Sequence, residues 1–222
     1  MGRQLVMLRH GQTDYNANHR MQGQLDTQLS SVGIEQARSA AKYVGNLNIV
    51  KIVSSDLTRA KDTADIIANT LGLDVTIDAR LRETDLGHWQ GRTHEEVDSE
   101  YVGARAAWRH NPGWAPPGGE SRLEVARRAR PAIDELMASF PDWEGQAVLI
   151  VAHGGTISAL TSNLLGLAPT QYPLLSGLKN TNTSQLTARP RFTEGTMNGD
   201  FTAENHVDAQ WYLDAWNQGW SS

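Results

Sequence analysis

The stretch Leu5-Val6-Met7-Leu8-Arg9-His10-Gly11 joins a short apolar run to a basic pair and a glycine. A continuous apolar run of this length predicts a strand that is buried on both faces, as in a parallel sheet. Val148-Leu149-Ile150-Val151-Ala152-His153-Gly154 repeats the same design late in the chain. Because ligands of open α/β sheets bind outside the carboxyl ends of the strands, we expect His10 and His153 to meet there.

Strands and helices alternate around these two segments. The apolar patterns predict further strands at 49–53, 75–77 and 184–188, and helices at 30–44, 55–71, 121–140 and 156–165. We expect Ser55 or Asp56 to cap the second helix and Pro131 to kink or split the third. The alternation predicts an α/β fold, specifically a three-layer α/β/α sandwich with a largely parallel sheet.

The domain organisation is expected to be simple. We predict a single domain over residues 1–222, with a polar excursion at about 88–119 that is punctuated by Gly and Pro and is partly helical. The excursion is expected to pass over the site and could move as a lid. The Trp-rich tail, which includes Trp211, Tyr212 and Trp216, is expected to cover an edge of the sheet or the rim of the site.

Composition argues against several classes of function. Apolar residues make up 39% of the chain and charged residues 20%, which is typical of a globular protein. The net charge of −5 predicts no nucleic-acid partner, and the absence of a long apolar run predicts no membrane span. No signal peptide precedes the first apolar stretch, so a cytoplasmic location is expected. The chain has no cysteine and no His-Glu-x-x-His spacing, so we predict no metal and no other cofactor.

Charged side chains follow three of the predicted strands. Arg59 lies in the first turn after the second strand, and Glu83 comes shortly after the third. The residues expected to converge at one edge of the sheet are Arg9, His10, Arg59, Glu83 and His153. Guanidinium groups match the geometry of phosphate, and the amino end of a helix that starts near Gly154 also favours an anion. The sequence therefore predicts a pocket for a phosphate dianion.

Five motifs occur together and in this order: Leu8-Arg9-His10-Gly11, Ser54-Ser55-Asp56-Leu57-x-Arg59-Ala60, Glu83-x-x-Leu86-Gly87-x-Trp89-x-Gly91, Gly119-Glu120-Ser121 and Ala152-His153-Gly154. Over about residues 4–165 the chain resembles the histidine phosphatase superfamily, the phosphoglycerate-mutase-like proteins. The resemblance implies that fold and a metal-independent phosphatase that acts through a phosphohistidine. It also implies that no cofactor takes part.

The resemblance assigns a role to each residue of the constellation. His10 is the expected nucleophile and attacks as neutral imidazole. Glu83 is the expected general acid for the leaving alkoxide and then the base for water, with Asp85 and Glu95 as alternatives. Arg9, Arg59 and a protonated His153 are expected to hold the phosphoryl oxygens.

Three further residues are expected to bind substrate. Asn16 and Gln22 match loop positions of the superfamily that touch the phosphate or the substrate's hydroxyl groups. Gly154 begins the turn whose helix favours an anion. Plain hydrogen bonding within the loop is an alternative role for Asn16 and Gln22.

Two loop segments and the tail resemble one branch of the superfamily more closely, the actinobacterial glucosyl-3-phosphoglycerate phosphatases. These segments are Val6-Met-Leu-Arg-His-Gly-Gln-Thr-Asp-Tyr-Asn16, Met21-Gln-Gly-Gln-Leu-Asp-Thr27 and Trp211-Tyr-Leu-Asp-Ala-Trp-Asn217. The branch implies a small phosphorylated metabolite as partner, glucosyl-3-phosphoglycerate, on the route to methylglucose lipopolysaccharides. A homodimer stays open beside a monomer.

Three alternative functions stay open. The substrate could be another small phosphate ester, such as α-ribazole phosphate. A cofactor-dependent phosphoglycerate mutase is a second alternative, although the mutase motif Glu-Arg-His-Tyr-Gly differs from Glu83-Thr-Asp-Leu-Gly-His-Trp89 here. An inactive binding or scaffold protein is the third, and the presence of all five proposed catalytic residues argues against it.

Overall fold

A mixed β-sheet forms the middle layer of the molecule. The computed structural model describes residues 2–192, 194, 199, 201–202 and 205–219. Over these residues the strands are β1 (Arg3–Arg9), β2 (Ile49–Ser54), β3 (Val75–Ile77), β4 (Ala147–Ala152), β5 (Thr183–Pro190) and β6 (Ala209–Gln218). Strands β1 to β5 lie where the apolar runs predict them.

Seven α-helices lie between or beside the strands in the described part of the chain. They are α1 (Asp14–Ala17), α2 (Ser31–Val44), α3 (Thr58–Leu71), α4 (His94–Glu100), α5 (Ala104–His110), α6 (Arg122–Ser139) and α7 (Gly154–Leu164). Short 3-10 helices cover Gly45–Leu47, Ala79–Leu81, Gly87–Trp89, Pro141–Trp143 and Pro169–Leu174.

The strand order is β3-β2-β4-β1-β5-β6. The pairs from β3 to β1 are parallel, whereas β5 and β6 are antiparallel to their neighbours. The largely parallel α/β sheet predicted from the sequence is thus confirmed, with an antiparallel edge added. The tail covers that edge, as expected, and does so as a strand of its own.

Helices cover both faces of the sheet because neighbouring residues of each buried strand point to opposite sides. Leu5 and Met7 of β1 pack with α6 and α7 in one core cluster. Val6 and Leu8 pack with α2 and α3 in the other. All six residues of β4 are buried, which explains why its sequence is apolar without interruption. The result is the predicted three-layer arrangement.

The amino end of α3 differs from the prediction. Leu57, and neither Ser55 nor Asp56, is the N-cap residue, and its side chain makes no capping hydrogen bond. The carboxylate of Asp26 caps the helix from a distant loop, because it accepts hydrogen bonds from Thr58 N at 2.8 Å and Thr58 Oγ1 at 3.0 Å. Asp56 pairs with Arg82 instead. The prediction of a local cap was therefore wrong, since a tertiary contact supplies the acceptor.

Helix α6 runs without a break through Pro131. Ser121 caps it and forms a capping box with Glu124, which satisfies amino-terminal N–H groups of the helix. The buried face of α6 packs against the sheet and α7. This packing keeps the helix in one piece although Pro131 cannot donate its backbone hydrogen bond.

The excursion at 88–119 carries α4 and α5 and has an aromatic cluster of its own. Trp89 is fully buried and its ring centroid lies 6.0 Å from that of Trp108 and 5.5 Å from that of Trp114. Met21, from the loop after α1, packs into the same cluster. The loop after β1 and the excursion therefore pack together, which places Trp108 beside the strand ends.

Candidate active site

The site forms at the carboxyl ends of β1 and β4, which are adjacent and parallel. Arg9 of β1 lies in register with Ala152 of β4, so the histidines that follow come together. The ring centroids of His10 and His153 are 5.2 Å apart. The two strand ends therefore meet as the sequence predicts.

His10 is buried, and a backbone carbonyl group fixes which of its ring nitrogens carries the hydrogen. Its Nδ1 lies 2.6 Å from the carbonyl oxygen of Gly11. Since a carbonyl oxygen only accepts, Nδ1 carries the hydrogen and Nε2 has the free lone pair in the neutral ring. Burial, and then the charges of Arg59 and Arg9, hold the pKa of His10 well below its usual value. His10 is therefore a neutral imidazole with its basic nitrogen in the site.

His153 is oriented by a hydroxyl group rather than by a carbonyl group. Its Nε2 lies 2.9 Å from Ser55 Oγ, while its buried Nδ1 has no partner among the described residues. Burial, and then the positive charge of Arg59, hold the pKa of His153 well below its usual value. The resemblance implies a protonated His153, whereas burial and the nearby positive charges favour the neutral ring in this structure.

Two guanidinium groups, those of Arg59 and Arg9, line the same cavity as His10. Arg59 donates from Nε to His10 Nε2 at 3.3 Å, and from its terminal nitrogens to the carbonyl groups of Gly23 and Leu25. Arg9 donates to Leu178 O at 2.6 Å, while its buried Nε has no partner in the part of the chain that the structure describes. Burial lowers the pKa of Arg59 to about 10, so both groups stay charged at neutral pH. An anion bound here would supply the missing counter-charge.

Glu83 lies in the loop after β3, and its carboxylate contacts the amino end of α7. Its carboxylate accepts hydrogen bonds from Gly155 N and Thr156 N, each at 3.1 Å, and from Thr84 N at 2.7 Å. A Cβ atom on Gly155 would lie 2.5 Å from Glu83 Oε1. Glycine at position 155 is therefore needed for the close approach of the Glu83 carboxylate to the helix.

Of the two alternative acids, neither lines the cavity around His10. Asp85 accepts a hydrogen bond from Gly87 N in its own loop, and Glu95 is exposed in the first turn of α4. The geometry therefore favours Glu83 among the three carboxylates that the sequence offers.

Asn16 and Gln22, for which we predict a role in substrate binding, both line the cavity around His10. Gln22 Oε1 accepts a hydrogen bond from Thr13 Oγ1 at 2.9 Å, and Asn16 Oδ1 accepts from Asn180 Nδ2 at 3.2 Å. Because each amide oxygen is occupied, the NH2 group of each side chain is the end that can donate to a ligand. Both readings of these residues, loop bonding and ligand binding, are compatible with one geometry.

Two adjoining cavities make up the cleft. The inner one, of about 210 Å³, contains His10, Arg59 and Gln22. The outer one, of about 440 Å³, contains Gly154 and the 3-10 segment that ends near Leu175. Residues that line both are Arg9, Glu83, Thr84, Trp108 and Gly155. The inner cavity has the size and charge for a phosphoryl group, and the outer one leads away from it.

A half-buried ion pair that the sequence did not predict holds the Glu83 loop. Arg128 of α6 donates to the carbonyl oxygens of Arg80, Arg82 and Glu83 at 2.7, 3.1 and 3.3 Å. It also pairs with both carboxylate oxygens of Glu120. The motif Gly119-Glu120-Ser121 signalled Glu120, but Arg128 lies in a helical pattern with other arginines and nothing local distinguishes it.

Other residues of the site also escaped the sequence reasoning. Ser55 was interpreted only as a helix cap, Asn180 holds the carbonyl group of His10 at 3.0 Å, and Thr63 accepts from Gly11 N at 3.1 Å. Their roles depend on contacts between distant parts of the chain. Among the described residues no His, Asp and Glu side chains cluster in a way that could hold a metal ion. Likewise, none of the described helices is long and apolar enough to cross a bilayer.

Comparison with known proteins agrees with this geometry. A model of the histidine phosphatase superfamily (branch 1) matches residues 5–200. This chain is a member of the histidine phosphatase superfamily. Superfamily members of Mycobacterium tuberculosis and Mycolicibacterium vanbaalenii, both named glucosyl-3-phosphoglycerate phosphatase, are 50% and 51% identical to it. Each alignment covers 97% of this chain and 94% of the relative.

Solved structures of the superfamily share the fold over nearly the whole chain. A mycobacterial glucosyl-3-phosphoglycerate phosphatase in complex with VO3 matches with a TM-score of 0.88 and 49% identity, covering 98% of this chain and 100% of that one. A probable phosphoglycerate mutase of Salmonella choleraesuis is more distant, with 38% identity over 74% of this chain and 75% of the relative. The phosphoglycerate-mutase-like fold predicted from the motifs is thus confirmed.

Proposed function

We propose that this protein is a metal-independent phosphomonoester hydrolase that works through a phosphohistidine on His10. The observation that carries the proposal is the state of His10 itself. Its Nδ1 is tied to Gly11 O, and its Nε2 lone pair faces the cleft beside Arg59. A neutral, pre-oriented imidazole within a ring of cationic groups is suited to attack a phosphoryl dianion.

In the first step His10 Nε2 attacks phosphorus and the P–O bond to the alcohol breaks. Arg9 and Arg59 hold the phosphoryl oxygens, which requires Arg59 to exchange its contact with His10 for one with the ligand. Glu83, which must be protonated for this step, donates its proton to the departing alkoxide and becomes a carboxylate. In the second step water attacks phosphorus, Glu83 accepts a proton from the water, and the N–P bond breaks to release inorganic phosphate.

We propose glucosyl-3-phosphoglycerate as the substrate, with glucosylglycerate as the product. The names of the relatives at 50% and 51% identity support this choice, since the alignments span nearly the full length of both chains. A place on the route to methylglucose lipopolysaccharides and a cytoplasmic location belong to the same proposal. Cell fractionation with an antibody to the protein tests the location.

Trapping the intermediate tests the mechanism. Turnover of a 32P-labelled ester would be quenched in alkaline denaturant, which preserves the N–P bond, and the labelled peptide would be sequenced. We expect label on His10 in the parent protein and none in His10→Ala. Label on another residue, or loss of activity on adding a chelator, would contradict the scheme.

A panel of esters tests the substrate by release of inorganic phosphate. We expect the highest kcat/KM for glucosyl-3-phosphoglycerate. Equal or better turnover of α-ribazole phosphate would identify a different phosphatase, and conversion of 3- to 2-phosphoglycerate primed by the bisphosphate would identify a mutase. A protein inert to every ester would support the scaffold alternative.

We also propose that the chain forms a single domain and a homodimer, with the excursion at 88–119 moving as a lid. Strand β6 lies at the edge of the sheet and exposes Tyr212 and Leu213. Exposed apolar side chains on an edge strand suit pairing with a second copy. Sedimentation over a range of concentrations tests the dimer, and hydrogen exchange of α4 and α5 with and without inorganic phosphate tests the lid.

A further inference from the structure

The outer cavity has an unusual concentration of unpaired polar groups. Arg122 begins α6 and Arg109 lies near the end of α5, and both line this cavity. Neither guanidinium group makes a hydrogen bond or an ion pair with any residue that the structure describes, although most arginines of this chain do. Arg122 stacks on the ring of Trp108, with 5.3 Å from Cζ to the centroid.

The two arginines are close enough to act on each other. Burial, and then the charge of Arg109, lower the pKa of Arg122. Two neighbouring cations repel each other, and an anion that bridges them relieves this repulsion. Such a pair in a cleft indicates a ligand with a negative group.

Further unpaired groups lie where the two cavities meet. The hydroxyl group of Thr84, the indole nitrogen of Trp108 and Nε of Arg9 are all buried without a hydrogen-bond partner in the described part of the chain. Buried polar atoms are normally satisfied, and their absence of partners marks a place where a ligand contributes. Polar groups that could bind a ligand therefore lie along the path from His10 to Arg122.

From this arrangement we propose that Arg109 and Arg122 bind the carboxylate of the substrate's leaving group. The inference rests on the proposed function, in which phosphate and carboxylate stand at opposite ends of a glycerate unit. With phosphorus beside His10, the glycerate passes Thr84 and Trp108 and its carboxylate reaches the arginines. Guanidinium groups bind carboxylates through paired, charge-assisted hydrogen bonds. The pair thus selects esters of carboxylated alcohols.

A pair of simple esters tests the inference. 3-Phosphoglycerate carries the carboxylate, whereas glycerol 3-phosphate has a hydroxymethyl group in its place. We expect the ratio of kcat/KM for the first ester to that for the second to fall about tenfold in Arg122→Gln and in Arg109→Gln, mainly through KM, because a charge-assisted hydrogen bond is lost. Arg122→Lys, which keeps the charge, should restore part of the ratio.

Arg127→Gln is the matched control, since Arg127 is an exposed arginine of the same helix that lines a separate groove. We expect it to keep the parental ratio. An unchanged ratio in both test variants, with both esters still hydrolysed, would overturn the carboxylate site and leave the proposed function standing.

Failure of the parent to hydrolyse any ester would instead remove the proposed function. Calorimetric binding of the same esters would then decide the inference. A selective loss of affinity for 3-phosphoglycerate in Arg122→Gln would support the site, and equal losses for both esters would overturn it.

Discussion

His10 and His153 follow two neighbouring strands with nearly the same sequence pattern, yet neighbouring oxygen atoms hold different nitrogens of the two rings. The Gly11 carbonyl accepts from Nδ1 of His10, so the lone pair lies on Nε2, where Arg59 Nε donates to it at 3.3 Å. In His153 it is Nε2 that contacts Ser55 Oγ, and Nδ1 has no partner among the described residues. Ser55 Oγ also accepts from Leu57 N, so its own hydrogen is available for His153 Nε2. A neutral His153 that accepts this hydrogen at Nε2 carries its own hydrogen on Nδ1.

This difference separates the roles of the two rings. His10 offers a lone pair, as a nucleophile requires, and His153 offers an N–H group that can donate to a phosphoryl oxygen without being charged. This difference comes from the group that contacts each ring, which is the Gly11 carbonyl for His10 and the Ser55 hydroxyl for His153.

His10→Ala should have the largest effect. Removal of the proposed nucleophile is expected to lower kcat by about 10⁴-fold or more, because no other group in the cleft can form the intermediate. Steady-state release of phosphate measures the loss. His110→Ala, at an exposed histidine of α5, is the control and should keep parental activity. A His10→Ala protein with more than a few per cent of the activity would mean that the two rings do not differ as argued.

His153→Ala should follow, with kcat lower by about 10²- to 10³-fold, the usual cost of one lost donor to a charged transition state. His153→Asn, whose amide can still donate, should recover part of that loss. Both variants should still form labelled phosphohistidine on His10. Absence of the label in both would show that His153 takes part in making the nucleophile, against the division proposed here.

Ser55→Ala should lower kcat by about tenfold, because His153 loses the group that selects its tautomer but stays in the site. Ser54→Ala removes a neighbouring buried hydroxyl that bonds Ser55 O, and serves as the matched control. Thermal unfolding of both variants measures their stability. Equal kcat losses in the two variants would reduce Ser55 to a packing residue.

The smallest expected effect is on stability against acid. The pKa values of both histidines are lowered in the folded protein, so the unfolded chain binds more protons below about pH 6.5. The stability that each neutral ring contributes is present above that pH and is lost on acidification. Protonation of each histidine in the unfolded chain should lower the free energy of unfolding by about 1 kcal/mol between pH 6.5 and 5.5. Urea unfolding of the parent and of His153→Gln at both pH values measures this, and parallel pH dependences would contradict it.

The core layers were predictable because their signals are local. The apolar run of β4 and the periodic apolar residues of α2 and α6 predict which residues are buried, and these residues are buried in the structure. Strand β6 was not predicted as a strand, since its residues alternate poorly and only its pairing with β5 extends it. The sequence predicted that the tail covers an edge of the sheet or the rim of the site, but it did not predict that the tail forms a strand.

The candidate site divides in the same way. The sequence predicted that His10, His153 and Glu83 belong to one site. Each follows a predicted strand, and parallel strands bring their carboxyl ends to one edge of the sheet. Ser55 and His153 are 98 positions apart, and no sequence pattern reports a contact between them. The unpaired state of Arg122 is likewise a property of its surroundings.

The sequence by itself determined the layered α/β fold, the histidine phosphatase motifs and the strand ends that carry the reactive residues, because apolar periodicity and motif spacing are properties of neighbours along the chain. Only the tertiary structure decided which nitrogen of each histidine a neighbouring oxygen atom holds and that Asp26 rather than Ser55 caps α3. It alone also decided that Arg109 and Arg122, in the outer cavity, have no hydrogen-bond or ion-pair partner among the described residues. These features depend on hydrogen-bond partners and charges that come from distant segments, and folding alone brings them within reach.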